Sequence, residues 1–356
     1  MRYIVTFSGG KDSLGTIVWA MNNLEFDDWD ILFCDTDWED ELTYQHIDLI
    51  ESMVGKKIIR VKHYPYPLTD EERNSIRKIF GKDNVFAEMI LHKGRFPSTK
   101  ARFCTEELKS KPMIDYILSC NYDVTVIQGV RADESRSRAN LNKNDEYFKF
   151  YFEPYKINKK GVKLYHSYRK KEIITRQELF ITDVLRPILH NTAHEVFDMI
   201  YSNGFKPNPL YKMGMGRVGC FPCVMCQKGE IKQINIVRNK RIEQLEQLSN
   251  STFFSPSYIP SRFCTKTALV HLYLSDLIDT NSKLYNIKLH NQLVETESII
   301  KYEDEEGDIY VIKRMKVPRI KDVITYVSDN PDQINLFEPI QSGCLSVYNI
   351  CELGDK

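Results

Sequence analysis

The sequence predicts an α/β protein, a parallel twisted sheet with helices on both faces, followed by a mainly helical C-terminal region. Three observations predict it. The apolar run Tyr3-Ile4-Val5-Thr6-Phe7 enters a Gly-Gly turn, and Leu14, Ile17, Val18 and Met21 then recur at helical spacing up to Leu24. A second apolar run, Asp30-Ile31-Leu32-Phe33-Cys34, precedes another amphipathic segment from Leu42 to Val54. Ile58 to Val61 is a third such run, and strands alternating with helices imply a parallel sheet.

Between the first strand and its helix lies Ser8-Gly9-Gly10-Lys11-Asp12-Ser13. Adjacent glycines let the backbone turn sharply and present its N–H groups to an anion. Ser8, Ser13 and the helix N-terminus add donors, and Lys11 adds a positive charge. This is a phosphate loop, but not a Walker A loop, which needs four residues between its first Gly and the Gly-Lys pair. An ordinary strand-to-helix turn is the alternative reading. Ligands of parallel sheets bind beyond the carboxyl ends of the strands, which brings Asp35 and Thr36 beside the loop.

S-G-G-K-D-S resembles the signature of the PP-loop ATP pyrophosphatases, or adenine nucleotide alpha hydrolases. That resemblance implies ATP as cofactor, adenylylation of a substrate and release of pyrophosphate. Asp35 to Tyr44 is similar to a stretch of the phosphoadenosine phosphosulfate reductases, one group of this superfamily.

Composition bounds the rest. The 356 residues are enough for two domains, and 42% hydrophobic with 28% charged residues fits a globular protein. Lys plus Arg and Asp plus Glu both number 49, so no overall attraction to nucleic acid or membrane follows. No apolar run approaches the roughly 18 residues of a membrane-spanning helix. With no basic-then-apolar leader before the first strand, a cytoplasmic protein without a membrane partner is expected. Nine cysteines, three of them within Cys220 to Cys226, point to metal rather than to a disulfide framework. Cys34 and Cys120 lie in apolar surroundings and read as buried small hydrophobes.

From Pro65 to Pro97 the sequence reads as helical and leads to Arg102-Phe103-Cys104-Thr105, continuing to Lys109 and Pro112. A Cys followed by such a Lys and Pro recurs in the reductase group, where it closes the active site. Val124 to Arg131 reads as a strand, and Gly129, Arg131, Glu134, Ser135 and Arg138 match the group's G-x-R-x-x-E-S-x-x-R. Arginines at a strand's carboxyl end can clamp phosphates through a planar fork of donors. A solvated charged loop is the plain alternative.

From Arg131 to Glu172 basic residues outnumber acidic ones by 12 to 6, with Tyr147, Phe148, Phe150, Tyr151, Phe152, Tyr155, Tyr165 and Tyr168 interleaved. Such a mixture can bind nucleic acid. The preferred reading is a plain β-hairpin of Glu146 to Tyr155 with Val162 to Ser167, inserted at about residues 138–172. Arg186 to Phe197 resembles a further reductase stretch at the start of a helix, and Thr192 with Glu195 makes a capping box. His190 and His194, four apart, read as helix-surface residues rather than ligands.

Asn208-Pro209-Leu210-Tyr211 and then Gly216 to Cys226 combine N-P-L-Y, R-x-G-C and C-x-x-C. They resemble the same reductase group, including the related DNA phosphorothioation sulfurtransferases. The resemblance implies a [4Fe–4S] cluster on Cys220, Cys223 and Cys226, with Cys104 as fourth ligand and Cys264 in reserve. Zinc or free buried thiols are the alternatives. Beyond, Ile231 to Leu248 and Thr267 to Ile278 read as helices and Asp308 to Met315 as a strand. Cys344 and Cys351 do not reproduce the Glu-Cys-Gly setting of sulfonucleotide reductases.

The expected organisation is a nucleotide-binding domain over residues 1–230 and an accessory region over 231–356. ATP phosphates would rest on Ser8, Gly9, Gly10, Lys11, Asp12 and Ser13, with the adenosine near Phe33 to Asp37, Asp35 and Thr36 among them. Gly129, Arg131 and Glu134 complete the binding set. Lys11, Asp12 and Arg131 are the expected catalytic residues, with Mg²⁺ offsetting phosphate charge and Asp12 as an outer ligand. The expected activity is adenylylation coupled to sulfur transfer onto a nucleic acid, with a sulfur-donor protein as a further partner. The rivals are reduction of adenylyl sulfate or its 3′-phosphate, and a non-catalytic nucleotide sensor.

Overall fold

The structure is a computed structural model in which residues 1–99, 101–158, 161–256, 258–273, 300–303 and 309–329 are described. Its centre is a six-stranded sheet of β1 (Arg2–Thr6), β2 (Trp29–Cys34), β3 (Ile58–Val61), β4 (Val124–Ile127), β5 (Asn144–Glu146) and β8 (Thr182–Leu185). The order is β3-β2-β1-β4-β8-β5, with β5 antiparallel at the edge and all other pairs parallel. Strand order reverses between β1 and β4, the switch point at which open parallel sheets bind ligands.

Both faces of the sheet are covered, which is why its strands read as continuous apolar runs rather than alternating ones. Val5, Ile31 and Ile127 pack with α1 (Lys11–Asn23), α2 (Glu41–Val54) and the later helix Ala193–Ser202 through Leu14, Ile17, Ile47, Ile50, Val196 and Ile200. Ile4, Leu32 and Val126 point the other way, onto Met113, Ile114 and Ile117 of the helix Lys111–Ser119 and Ile173 of the helix Lys170–Leu179. Asp40 caps α2 by accepting from the Leu42 N–H at 3.0 Å. The capping box stands: Thr192 Oγ1 accepts from Glu195 N–H at 3.2 Å, and Glu195 takes the Thr192 N–H at 2.6 Å.

A third apolar cluster joins the helices Asp70–Phe80 and Val85–Lys93, Trp38 and the cysteine segment to Ile236–Leu248 and Ile320–Asp329. Phe221, Val224 and Cys226 share it with Ile320, Val323 and Val327. The last two helices bear out the helical character expected beyond the sheet.

Two expectations are corrected. Thr267 to Ile278 is not a helix as far as it is described. Lys266–Tyr273 is strand β9, which pairs antiparallel with β11 (Ile309–Val317) from Lys266↔Val317 to Tyr273↔Tyr310, while β10 (Ile300–Glu303) lies on the other side of β11. Its Leu269 and Leu272 spacing is compatible with a helix, but Thr267, Val270 and Tyr273 suit a pleated ribbon, and the partner strand comes from far along the chain. The hairpin is also shorter than expected: β6 (Lys156–Ile157) and β7 (Lys163–Leu164) pair, but Lys149–Phe152 is a helical turn. Among the described residues no helix is long and apolar enough to cross a membrane.

Candidate nucleotide and thiol site

The loop after β1 is held by its own serines. Ser8 N–H donates to Ser13 Oγ at 3.1 Å, and Ser13 Oγ donates to the Gly10 carbonyl at 2.9 Å. Gly9 has a φ of +78°, the left-handed region that disfavours side chains. Helix α1 starts at Lys11 after the N-cap Gly10, which brings no side-chain cap, so its first turn offers backbone N–H groups and the positive end of its dipole to an anion.

The loop after β4 lies against this one. A Cβ on Gly129 would sit 2.7 Å from the backbone carbonyl atoms of Asp12 and from the Ser13 nitrogen, closer than real side chains come. Glycine is therefore what lets the two loops touch. Two residues on, Arg131 reaches back, and its Nε donates to Asp12 Oδ1 at 2.6 Å. The other Asp12 oxygen takes the Lys11 ammonium at 2.9 Å. Arg131 also pairs with Asp133, and Arg138 with Glu134. Both oxygens of the expected metal ligand Asp12 are thus engaged by cations.

These loops open on a cavity of about 440 Å³. Ser8, Gly10, Lys11, Asp12, Ser13, Thr36, Gly129, Arg131 and Glu134 all line it. Its cationic lining is Lys11, Arg102, Lys109, Arg131, Arg138 and Arg217, six groups against the four acids Asp12, Asp133, Glu134 and Glu230. The balance favours an anionic ligand. Asp35 is not on this wall; it accepts from the Tyr44 hydroxyl at 2.7 Å and pairs with Lys62 at 2.9 Å.

Cys104, Cys220, Cys223 and Cys226 line the same cavity. Cys104 lies in the single helical turn Phe103–Thr105, which runs into a π-helical turn at Glu106–Ser110. The other three are pinned to the loop after β2. Phe221 N–H donates to the Trp38 carbonyl at 2.8 Å, Trp38 Nε1 donates to the Pro222 carbonyl at 3.0 Å, and Glu39 forms a β-bridge with Cys220. Burial pushes the Cys226 thiol well above its usual range. Cys264, the reserve ligand, is buried away from the cavity with its thiol toward the Pro260 carbonyl at 3.8 Å. Among the described residues no three His, Cys, Asp or Glu side chains converge as a metal site. Cys34 is half-buried rather than buried as expected, with its thiol pushed up to about 12 by desolvation, whereas Cys120 is buried. Cys344 and Cys351 lie outside the described residues.

The sequence does not single out two residues, Glu39 behind the cavity wall and Tyr211 on it. Glu39 is 4% exposed and accepts from Thr36 Oγ1 at 2.7 Å, with the Cys220 thiol 3.7 Å from the same oxygen. Desolvation raises its pKa. Tyr211 places its hydroxyl 2.9 Å from the Lys11 N–H. Both stand inside stretches that carried the family resemblance, so the signal was present as a motif without a role.

In the insertion, Tyr147, Phe148 and Tyr151 are core residues against the sheet. Phe152, Tyr155 and Tyr165 are exposed, near Lys156, Lys163 and Lys170 in sequence. His190 and His194 are both exposed, and His194 lies 3.6 Å from Asp198.

Comparison with known proteins agrees with this geometry. Residues 2–226 match the phosphoadenosine phosphosulfate reductase domain. The chain is 33% identical over 304 residues to an uncharacterized 37.8 kDa protein of Escherichia phage 186, covering 73% of this chain and 80% of that one. It is 29% identical over 233 residues to an uncharacterized protein of Methanocaldococcus jannaschii, covering 65% of this chain and 38% of that longer one. Among solved structures, a phosphoadenylyl-sulfate reductase from Candida auris in a phosphate complex aligns with a TM-score of 0.39 and 12% identity, over 63% of this chain and 83% of that one. With the family match running through the phosphate loop, the Gly129–Arg131 loop and all three clustered cysteines, this chain belongs to the phosphoadenosine phosphosulfate reductase domain family, a nucleotide-binding PP-loop family.

Proposed function

We propose that this chain is an ATP-dependent enzyme that adenylylates an acceptor, releases pyrophosphate and then passes sulfur to that acceptor. The observation that carries the reading is a single cavity of about 440 Å³ lined by the phosphate loop, by six cationic side chains and by four thiols. ATP phosphates would lie on the loop amides, with Mg²⁺ offsetting part of their charge. An acceptor oxygen attacks the α-phosphorus, a P–O bond forms, and the bond to the pyrophosphate oxygen breaks. Lys11 and Arg131 stabilise the charge that develops on the departing oxygens. Hydrosulfide released by a donor protein then attacks the activated carbon, forming a C–S bond as the C–O bond breaks and AMP leaves with its electron pair.

Cys104, Cys220, Cys223 and Cys226 line the same cavity and are soft donors whose chemistry suits iron or zinc, but among the described residues no three of them converge, so holding a metal group would need the segment to draw together. These residues would hold a [4Fe–4S] cluster, or zinc, and a cluster would supply iron for binding sulfur. None of the steps above runs through it. The acceptor class is a nucleic acid, supported by the exposed Phe152, Tyr155 and Tyr165 interspersed with lysines of the insertion, which suit base stacking and phosphate contact.

The test is pyrophosphate release from ATP by anaerobically purified protein, with and without nucleic acid. Wild type should release it, and Lys11→Ala should not while keeping its circular dichroism. Failure of wild type to bind ATP sinks the reading; tight binding without turnover would make the chain a nucleotide sensor. An ultraviolet–visible spectrum with iron and sulfide assays tests the cluster, and a colourless, zinc-loaded protein overturns it. The family match over residues 2–226 also supports a second reading, reduction of adenylyl sulfate or its 3′-phosphate. Sulfite release dependent on Cys344 or Cys351 would favour that one.

A further inference from the structure

The turn Pro209–Met213 does more than follow the sheet, because it touches the phosphate loop at two points. Asn208, 1% exposed, donates from Nδ2 to the Gly9 carbonyl at 3.3 Å and to Thr43 Oγ1 at 3.2 Å, while its own oxygen caps the Leu210 N–H at 3.0 Å. Three residues later the Tyr211 hydroxyl accepts the Lys11 N–H at 2.9 Å. The Tyr211 ring is fixed edge-on against Phe197, with centroids 5.6 Å apart at 87°. Tyr211 also lines the cavity.

A phenol has one O–H to donate besides the lone pairs with which it accepts. The Lys11 N–H fills one lone pair, and among the described residues the hydroxyl donates to none. We propose that Tyr211 is a ligand for the phosphate chain, accepting from Lys11 on one side and donating its phenolic hydrogen to a phosphate oxygen on the other. The proposal rests on the reading that the loop holds nucleotide phosphates, and it adds a donor that the loop itself does not contain. Burial, reinforced by the Asp12 charge and opposed by the Lys11 hydrogen bond and by Arg217 and Arg131, raises the pKa of this phenol, so it keeps its proton at neutral pH. Asn208 fixes the distance: by anchoring the turn to the Gly9 carbonyl, it holds the hydroxyl in register with the loop.

The test compares binding of inorganic pyrophosphate, ATP and adenosine to the full chain and to Tyr211→Phe by calorimetry. A hydrogen bond to a charged group implies that pyrophosphate and ATP bind the variant about ten- to a hundredfold more weakly. Adenosine, which has no phosphate, should bind both proteins alike. Equal weakening of all three ligands would mean that Tyr211 only supports the loop, and would overturn the proposal. Tighter pyrophosphate binding would mean that the hydroxyl competes for the Lys11 N–H, and would overturn it too. If wild type binds neither ATP nor pyrophosphate, the nucleotide reading itself falls. Should Tyr211→Phe fail to fold, 3-fluorotyrosine at this position keeps ring and hydroxyl while strengthening the donor, so pyrophosphate should bind more tightly at neutral pH; unchanged affinity would count against the proposal.

Discussion

Replacing Gly129 with alanine should break the nucleotide site while leaving the sheet intact. The added Cβ would stand 2.7 Å from the Asp12 carbonyl carbon and oxygen and from the Ser13 nitrogen, where ordinary contact begins at 3.4 Å. The shortfall is about 0.7 Å, and all three neighbouring atoms are backbone, so no side chain can swing away. Overpacking of this kind costs about 1–3 kcal/mol, enough to lower the melting temperature by several degrees. The functional effect should be larger than the loss of stability suggests. A shift of about 0.7 Å takes an N–H···O contact from about 2.9 Å to about 3.6 Å, beyond hydrogen-bond range. Losing one or two such contacts to an anion should weaken ATP binding about tenfold or more. Calorimetric titration beside a thermal melt separates the two effects. A Gly129→Ala protein that melts with wild type and binds ATP equally would show that the loops do not touch as described.

Asp12→Ala removes one partner of the Arg131 guanidinium, whose side chain is 6% exposed, and leaves it, among the described residues, with Asp133 alone; urea unfolding should show a loss of about 3 kcal/mol. Lys11→Ala, by contrast, should abolish pyrophosphate release with little change in the same unfolding curve, because the Lys11 backbone N–H to Tyr211 is retained. Glu246 gives a pH prediction. Burial raises its pKa from 4.5 to about 7, against the N–H donors of Phe253 and Ile320. A carboxyl raised in the folded state stabilises fully below its unfolded pKa and loses that contribution as pH rises toward the folded value. Between pH 4.5 and 7 the loss should be about 3 kcal/mol. Glu246→Gln should flatten that part of the stability profile, and an unchanged slope would refute the assignment.

Much of the nucleotide half of the site was legible because its determinants are local. A strand, a Gly-Gly turn and an amphipathic helix follow one another from Tyr3 to Leu24, and each is specified by residues within a few positions. Gly129, Arg131 and Glu134 stand in a motif, and with Lys11, Asp12, Ser13 and Thr36 they line the cavity. Asp35 was misplaced because strand-end position does not specify which way a side chain turns; Lys62 and Tyr44 draw it off the wall. Glu39 stayed hidden because its importance comes from Cys220, far along the chain. Strand β9 was misread for the same reason: spacing within Thr267–Tyr273 carries no record of a partner that begins only at Ile309.

The pinning of the cysteine segment to the loop after β2 also sets an order of events during synthesis. Trp38 leaves the ribosome early, yet the Pro222 carbonyl that its indole N–H will meet is made much later. Later still comes Ile320–Asp329, whose Ile320, Val323 and Val327 close the apolar cluster around Phe221 and Val224. A nascent chain can therefore complete its sheet and display a phosphate loop well before it owns a finished thiol wall. A chain stopped at residue 226, where the family match ends, would carry every cysteine of that wall and leave Trp38, Phe221 and Val224 without much of their cover. Such a fragment would expose that apolar surface and be prone to self-association, because Ile320, Val323 and Val327 back the cysteine segment from outside the cavity.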